Sequence, residues 1–313
     1  MIITNKRKLP EAIVRVIKET LNEPHNRPGE YSITTLQNGV LETQLTNRHF
    51  EEIEVDASKE IWAIFGTAIH SLLEKKARIE DGYLVERAVR YQFPAHYQGY
   101  NITAGAITGR CDLINFNGEV SIEDYKTTKA AALLFKDTIE KWKKQLKGYC
   151  AILNLSEHIE VHKCRIYALL KDWSEGEAKK NPNYPDAPCV PLDFNFSTEE
   201  IEQEWTNLVD AYIKNKIGEL TDSEDIPECT KEQRWAKDDS WAIVKAGASK
   251  ASKIVRTSKQ DAFEILKKEY GPAYGIEERL GEDTKCLYFC KAKEFCKYYN
   301  KKYCFKMKEE TKE

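Results

Sequence analysis

The chain has 313 residues, 41% hydrophobic and 32% charged, with a formal net charge of −3. The apolar fraction suffices for one large or two smaller cores, and no run of about 18 apolar residues suggests a transmembrane span. A charge this close to zero does not exclude nucleic acid, because a local basic stripe can carry such binding.

The N-terminal stretch MIITNKRKLPEAIVRVIKE lacks the apolar segment of a signal peptide, and helical periodicity runs over 8–20. The nine cysteines are therefore expected in a reducing, cytoplasmic compartment, where clustered thiols serve more often as metal ligands than as disulfides. Ile61, Ile64, Phe65, Ala68, Leu72 and Leu73 recur at helical spacing, which predicts a helix over 58–80. Strands are predicted over 83–93, in the run up to Phe116, and over 119–128. A helix follows at 137–153 and a strand at 162–173. Pro, Asn and Gly make 174–188 a loop. A Thr-capped helix covers 198–219. Beyond Cys229 the texture changes to strand-like runs at 241–246 and 252–257, a helix at 258–269, a strand at 274–280 and a Lys- and Cys-rich tail. Two domains are expected, 1–225 and a small α/β module at 226–313.

Asp124 and Lys126 share a strand face, because side chains alternate with period two. Whether Asp112 joins them depends on the turn. A two-residue Asn117-Gly118 loop places Asp112 opposite Glu123, on the wrong face. A three-residue loop at 116–118, with Gly118 left-handed, places it opposite Ile122, on the same face. Two neighbouring carboxylates bind a hard cation such as Mg²⁺ or Mn²⁺, and a lysine beside them can orient water and stabilise developing charge. Acid-x-Lys alone is common, and this chain also has Glu74-Lys75-Lys76, Glu177-Ala178-Lys179 and Asp283-Thr284-Lys285.

The surrounding motifs raise the signal. GTAIHSLLE (66–74), TGRCDLI around Gly109 and Asp112, IEDYKTT around Asp124 and Lys126, and QLKGY (145–149) occur in that order. This set resembles the RecB-type branch of the PD-(D/E)xK nuclease superfamily, with its Gly-x-x-x-His helix, Gly-x-x-Asp strand, Asp-Tyr-Lys-Thr strand and Gln-x-x-x-Tyr helix. The resemblance implies an α/β restriction-endonuclease-like core, a mixed central sheet flanked by helices. It implies that Asp112 and Asp124 hold the metal, that Lys126 assists the water, that His70 faces the metal, and that Gln145 and Tyr149 position the strand. Glu86 sits where the family often has a further acid. Lys141, Lys143, Lys144 and Lys147 surround Gln145 and suit DNA phosphates.

In the tail, Cys286, Cys290 and Cys296 cluster, with Cys229 opening the module. Four thiolates can close a zinc site or hold an iron–sulfur cluster. RecB-type nucleases, AddB and the CRISPR-adaptation members among them, often carry a [4Fe–4S] centre. Here the first spacing is three residues rather than two, and Cys229 stands in for an upstream ligand that no cysteine before Cys111 supplies. Cys111, Cys150, Cys164 and Cys189 read as small buried residues.

The resemblance implies a DNA exonuclease in phage or bacterial recombination or repair, located in the host cytoplasm if phage-encoded. A CRISPR-adaptation nuclease remains an alternative, as does a DNA-end-binding or anti-defence protein with a vestigial site. No phosphate-loop motif is present, so unwinding would need a helicase or recombinase partner.

Overall fold

The apolar run after residue 105 becomes the strand Ala106–Asn115, the axis of a six-stranded mixed sheet. The computed structural model describes residues 1–21, 29–76, 81–97, 99–102 and 105–304. By contacts the chain divides into two units, Met1–Asp225 and Ile226–Glu313.

In the first unit the sheet order from one edge is Cys189–Asn195, Lys163–Leu170, Ser121–Thr128, Ala106–Asn115 and Glu30–Ser32, with Tyr83–Gln92 also pairing with the central strand. Ser121–Thr128 and Lys163–Leu170 are parallel, and the helix Lys136–Glu157 makes the crossover that parallel neighbours require. It packs against the helix Thr198–Leu220. Leu146, Ile152, Leu153, Leu208 and Tyr212 from these helices meet Ile107, Cys111, Ile114, Ile122 and Ile166 from the sheet in the main core. The unit is α/β, a mixed sheet flanked by helices.

Several sequence expectations are revised. The helix capped at Thr198 in the sequence reading is capped by Ser197, which exchanges hydrogen bonds with Glu200 in a capping box. The loop at 174–188 contains the helix Glu175–Lys180. The strand Cys189–Asn195 was not anticipated. It is an edge strand, where Pro191 needs no inward donor. The helix expected over 58–80 runs from Ile61 to Glu74, and 77–80 lie outside the described residues. Among the described residues no helix is long and apolar enough to cross a membrane.

In the second unit Ser240–Lys245 is the middle strand of a three-stranded antiparallel sheet. The helix Lys259–Glu269 covers it, burying Ile243, Val255 and Ala262. The segment after Cys229 runs beside the start of the cysteine tail: Ala236 bridges Asp283, and Thr284 N–H donates to Trp235 C=O at 3.3 Å. Asp283, 1% exposed, ties this region together. Its carboxylate accepts from Tyr298 Oη at 2.7 Å, Lys302 Nζ at 2.7 Å, Tyr303 Oη at 2.9 Å and Arg234 Nε at 3.1 Å.

Candidate active site

The central strand pairs with Tyr83–Gln92 along one edge from Ala106 to Asn115. On its other edge the ladder to Ser121–Thr128 has only the pairs Asn115–Ser121, Ile114–Ile122 and Leu113–Glu123, and Glu30–Ser32 meets it only at 106–108. The two ladders leave 109–112 between them. There the Asp112 side chain replaces a backbone acceptor, its Oδ2 taking the Tyr125 N–H at 2.8 Å.

This register corrects the three-residue loop. Paired Asn115 and Ser121 leave 116–120 as the loop, with Gly118 left-handed at φ +84°. Asn115 Oδ1 accepts the Asn117 N–H at 2.9 Å, which widens the turn as a side-chain mimic of a backbone turn. Continued one residue, the register sets Asp112 level with Asp124 rather than Ile122. The difference is two residues, so parity along the strand is preserved.

Parity alone does not build the site. Val85 pairs with Leu113 and Arg87 with Cys111, but the rung between them, Glu86 with Asp112, is broken. Glu86 lies there at φ +48°, a conformation that costs an L-residue roughly 1–3 kcal/mol. The core-facing phase changes at this rung. Leu84 and Ile114 pack on the core on one side of it, and Val89, Cys111 and Ile107 on the other, so even positions give way to odd ones in both strands.

The helix Ile61–Glu74 delivers His70. One turn earlier Gly66 sits over the strand, where a Cβ would lie 3.2 Å from Thr127 Oγ1. The His70 ring meets Tyr125 edge-on at 6.3 Å between centroids. Tyr125 and Thr127 alternate with Asp124 and Lys126, so this helix covers the face opposite to the lysine. His70 therefore reaches Asp112 through the gap between the strands: its Nδ1 is 3.3 Å from Asp112 Oδ1. One ligand atom each from His70, Glu86 and Asp112 all lie within 4.8 Å of one another. Asp124 stands outside that trio, 1% exposed, with Lys126 Nζ 2.6 Å from its Oδ2. Lys126 is therefore the charged partner of Asp124 Oδ2.

The electrostatics fit a site short of positive charge. The hydrogen bond with Asp112 raises the His70 pKa, against the effect of burial. Burial, and then the Asp112 charge, raise that of Glu86. Burial raises that of Asp124, with Lys126 only partly offsetting it. Glu86 and Asp124 are both held toward the neutral form, which a bound cation would reverse.

The structure brings Gln145 and Tyr149 together and buries the tyrosine. Tyr149 is 4% exposed, and its ring fills the space above Gly109, where a Cβ would come within 2.5 Å of it. Its ring packs into the sheet rather than lying on a surface open to DNA. Gln145 Nε2 donates to its hydroxyl at 2.7 Å, so the pair braces the gap from within. The lysines also divide. Lys143 pairs with Glu140 at 2.8 Å and lies over Phe194, and Lys147 lies over Phe196. Lys141 is four residues before Gln145 and so on its side of the helix, and both Lys141 and Lys144 are exposed.

In the second unit, burial and the neighbouring Asp283, Cys229 and Cys296 push the Cys286 thiol up to about 12. Cys290 follows closely, its N–H donating to Lys285 C=O at 2.8 Å. Among the described residues no three cysteine sulfurs lie within 4.8 Å of one another, wider than a single zinc ion would hold them. Cys111, Cys150 and Cys164 are buried, with Cys150 and Cys164 sulfurs 3.5 Å apart.

Sequence reasoning had no signal for the left-handed Glu86 or for the Tyr125 amide as a partner of Asp112. Both are products of strand geometry.

No protein-family model matches this chain, and no curated protein does. Among solved structures it is similar to one described as "Crystal structure of SSO0001", over 67% of this chain and 85% of that one, with a TM-score of 0.45 and 17% identity.

Proposed function

We propose that the chain is a metal-dependent deoxyribonuclease with a PD-(D/E)xK core of the RecB type, acting on DNA ends. The observation that carries this reading is the broken rung, which gathers His70, Glu86 and Asp112 within 4.8 Å beside the Asp124–Lys126 pair. An imidazole and two carboxylates, with a further buried carboxylate paired to a lysine beside them, are a donor set that fits a hard divalent cation. His70, Glu86 and Asp112 would hold Mg²⁺ or Mn²⁺ with Asp124 beside them. Such an ion supplies Lewis acidity toward a phosphoryl oxygen and an acidified water.

The chain's own residues do the rest. Lys126 opposes the protonation of Asp124 that burial favours, and it offers its Nζ protons to the nucleophilic water or to charge developing on the phosphoryl group. The Tyr125 N–H fixes Asp112 Oδ2, which leaves Oδ1 directed at His70. Gln145 and Tyr149 hold the gap open, while Lys141 and Lys144 meet the phosphate backbone with little preference for sequence.

End-labelled linear DNA and covalently closed circles, incubated with Mg²⁺ or Mn²⁺, test this directly. Linear DNA should be degraded from its ends and circles spared, with binding that weakens steeply as salt rises. Rapid nicking of closed circles would make the enzyme an endonuclease, and intact DNA in both samples would remove the nuclease reading.

Cys229, Cys286, Cys290 and Cys296 are proposed to hold a [4Fe–4S] cluster, with zinc as the alternative, in a role that stabilises the second unit. The electrostatic closeness of Cys229 and Cys296 to Cys286 supports it. Protein purified without oxygen should contain iron and labile sulfide; zinc at one ion per chain would favour the alternative, and metal-free, fully stable protein would leave free thiols.

A further inference from the structure

The helix that delivers His70 also carries an apolar surface that nothing in the first unit's core uses. Ile61–Glu74 is strongly apolar yet has no fully buried residue. One side packs Ile64 against the N-terminal helix, and another sets Gly66 and His70 over the strand. Trp62 remains 56% exposed and Phe65 43%, their rings edge to face at 6.1 Å. Lys171 Nζ lies 4.2 Å from the centre of the Trp62 ring. Lys171 is anchored to the strand of the active site, its N–H donating to Thr128 C=O at 2.9 Å, two residues beyond Lys126. Trp62 is eight residues from His70, about 12 Å along the helix axis.

An exposed indole joined to a cation, about two turns from a phosphodiester-cutting centre, suits a particular ligand. An unpaired base has a π-face for the ring, and its phosphate is matched to the lysine. Bases inside a duplex are stacked on both sides, and only the terminal pair leaves a face open. We propose that Trp62, Phe65 and Lys171 form a stacking step for an unpaired base of the substrate, which makes the enzyme select single-stranded DNA or a frayed end. This rests on the nuclease reading for the identity of the substrate, but the step can be tested without cleavage.

The test uses the full-length chain, its Trp62→Ala and Phe65→Ala variants, a labelled oligothymidylate, the same strand with a single abasic position moved along it, and a blunt duplex. Binding is read in chelator and cleavage in Mg²⁺. Trp62→Ala should weaken binding to the single strand about tenfold, with little change for the duplex. In the wild type one abasic position should weaken binding by a similar factor, and in Trp62→Ala that position should no longer matter. Equal effects on both substrates, or the same abasic profile in both proteins, would overturn the stacking step. So would a change from dimer to monomer in Trp62→Ala with unaltered binding, which would mark the patch as a contact between copies. If the wild type binds the single strand through Trp62 but cuts nothing, the nuclease reading fails and the step stands. If cleavage is normal and Trp62→Ala binds as the wild type does, only the step fails.

Discussion

Replacing Lys126 by alanine is expected to slow phosphodiester cleavage by at least about a hundredfold while leaving DNA binding in chelator nearly unchanged. The ammonium is 2.6 Å from the buried Asp124 carboxylate, and burial already drives that carboxyl toward protonation. Removing the cation is therefore expected to have two effects: it takes away the amine proposed to act on the phosphoryl group, and it removes the charge that opposes protonation of Asp124. Asp112→Asn should cost as much for a different reason. It keeps an acceptor for the Tyr125 N–H, so the strand ends stay together, but it removes the charge shared with His70 and Glu86. Single-turnover cleavage alongside equilibrium binding separates the two steps. Wild-type rates in both variants would place the chemistry elsewhere, and parallel loss of binding and rate would make the cluster a folding element.

The second large effect lies in the other unit. Asp283→Ala should lower stability by roughly 3–5 kcal/mol, because Arg234 and Lys302 would then be left around a buried position without their counter-charge. Burial alone would raise the Asp283 pKa, but the hydrogen bonds from Lys302, Tyr298, Tyr303 and Arg234 outweigh it and hold it at about 2. A carboxyl depressed in this way stabilises the fold above its unfolded value near 4. The contribution is lost as pH falls through the folded value, between about pH 4 and 2, and amounts to something on the order of 2–3 kcal/mol. Urea unfolding of wild type and Asp283→Asn at pH 6 and again near pH 3 reads this out: the gap between them should narrow with acid. A gap that is absent at pH 6, or independent of pH, would show that the four donors are satisfied by solvent.

The four acid-x-lysine triplets show how far the sequence could be read. Asp124-Tyr125-Lys126 stands in a run of period two, and strand geometry puts its acid and lysine on one side, as the alternation requires. Glu177 and Lys179 lie on an exposed surface helix, where Lys179 pairs with Glu175 instead. Asp283-Thr284-Lys285 looked no different, yet the Asp283 carboxylate accepts four side-chain hydrogen bonds, from Arg234, Tyr298, Lys302 and Tyr303. Local spacing identifies a shared face; it does not report which distant chain closes over it. The same limit applies to Tyr149. Its place four residues after Gln145 was legible, but the glycine that lets its ring sink into the sheet lies forty residues earlier on another strand. The N-terminal strands Ile2–Thr4 and Glu30–Ser32 were missed because three residues carry too little periodicity to register.

The broken rung at Glu86 and Asp112 also bears on how this sheet can change length. Losing one residue from Tyr83–Gln92 beyond Glu86 would turn every later side chain of that strand to the opposite face, unless Ala106–Asn115 lost its counterpart in the same step. The two strands can therefore change length only in matched steps. Length variation is free to collect where no ladder crosses, as in the turn at 116–120.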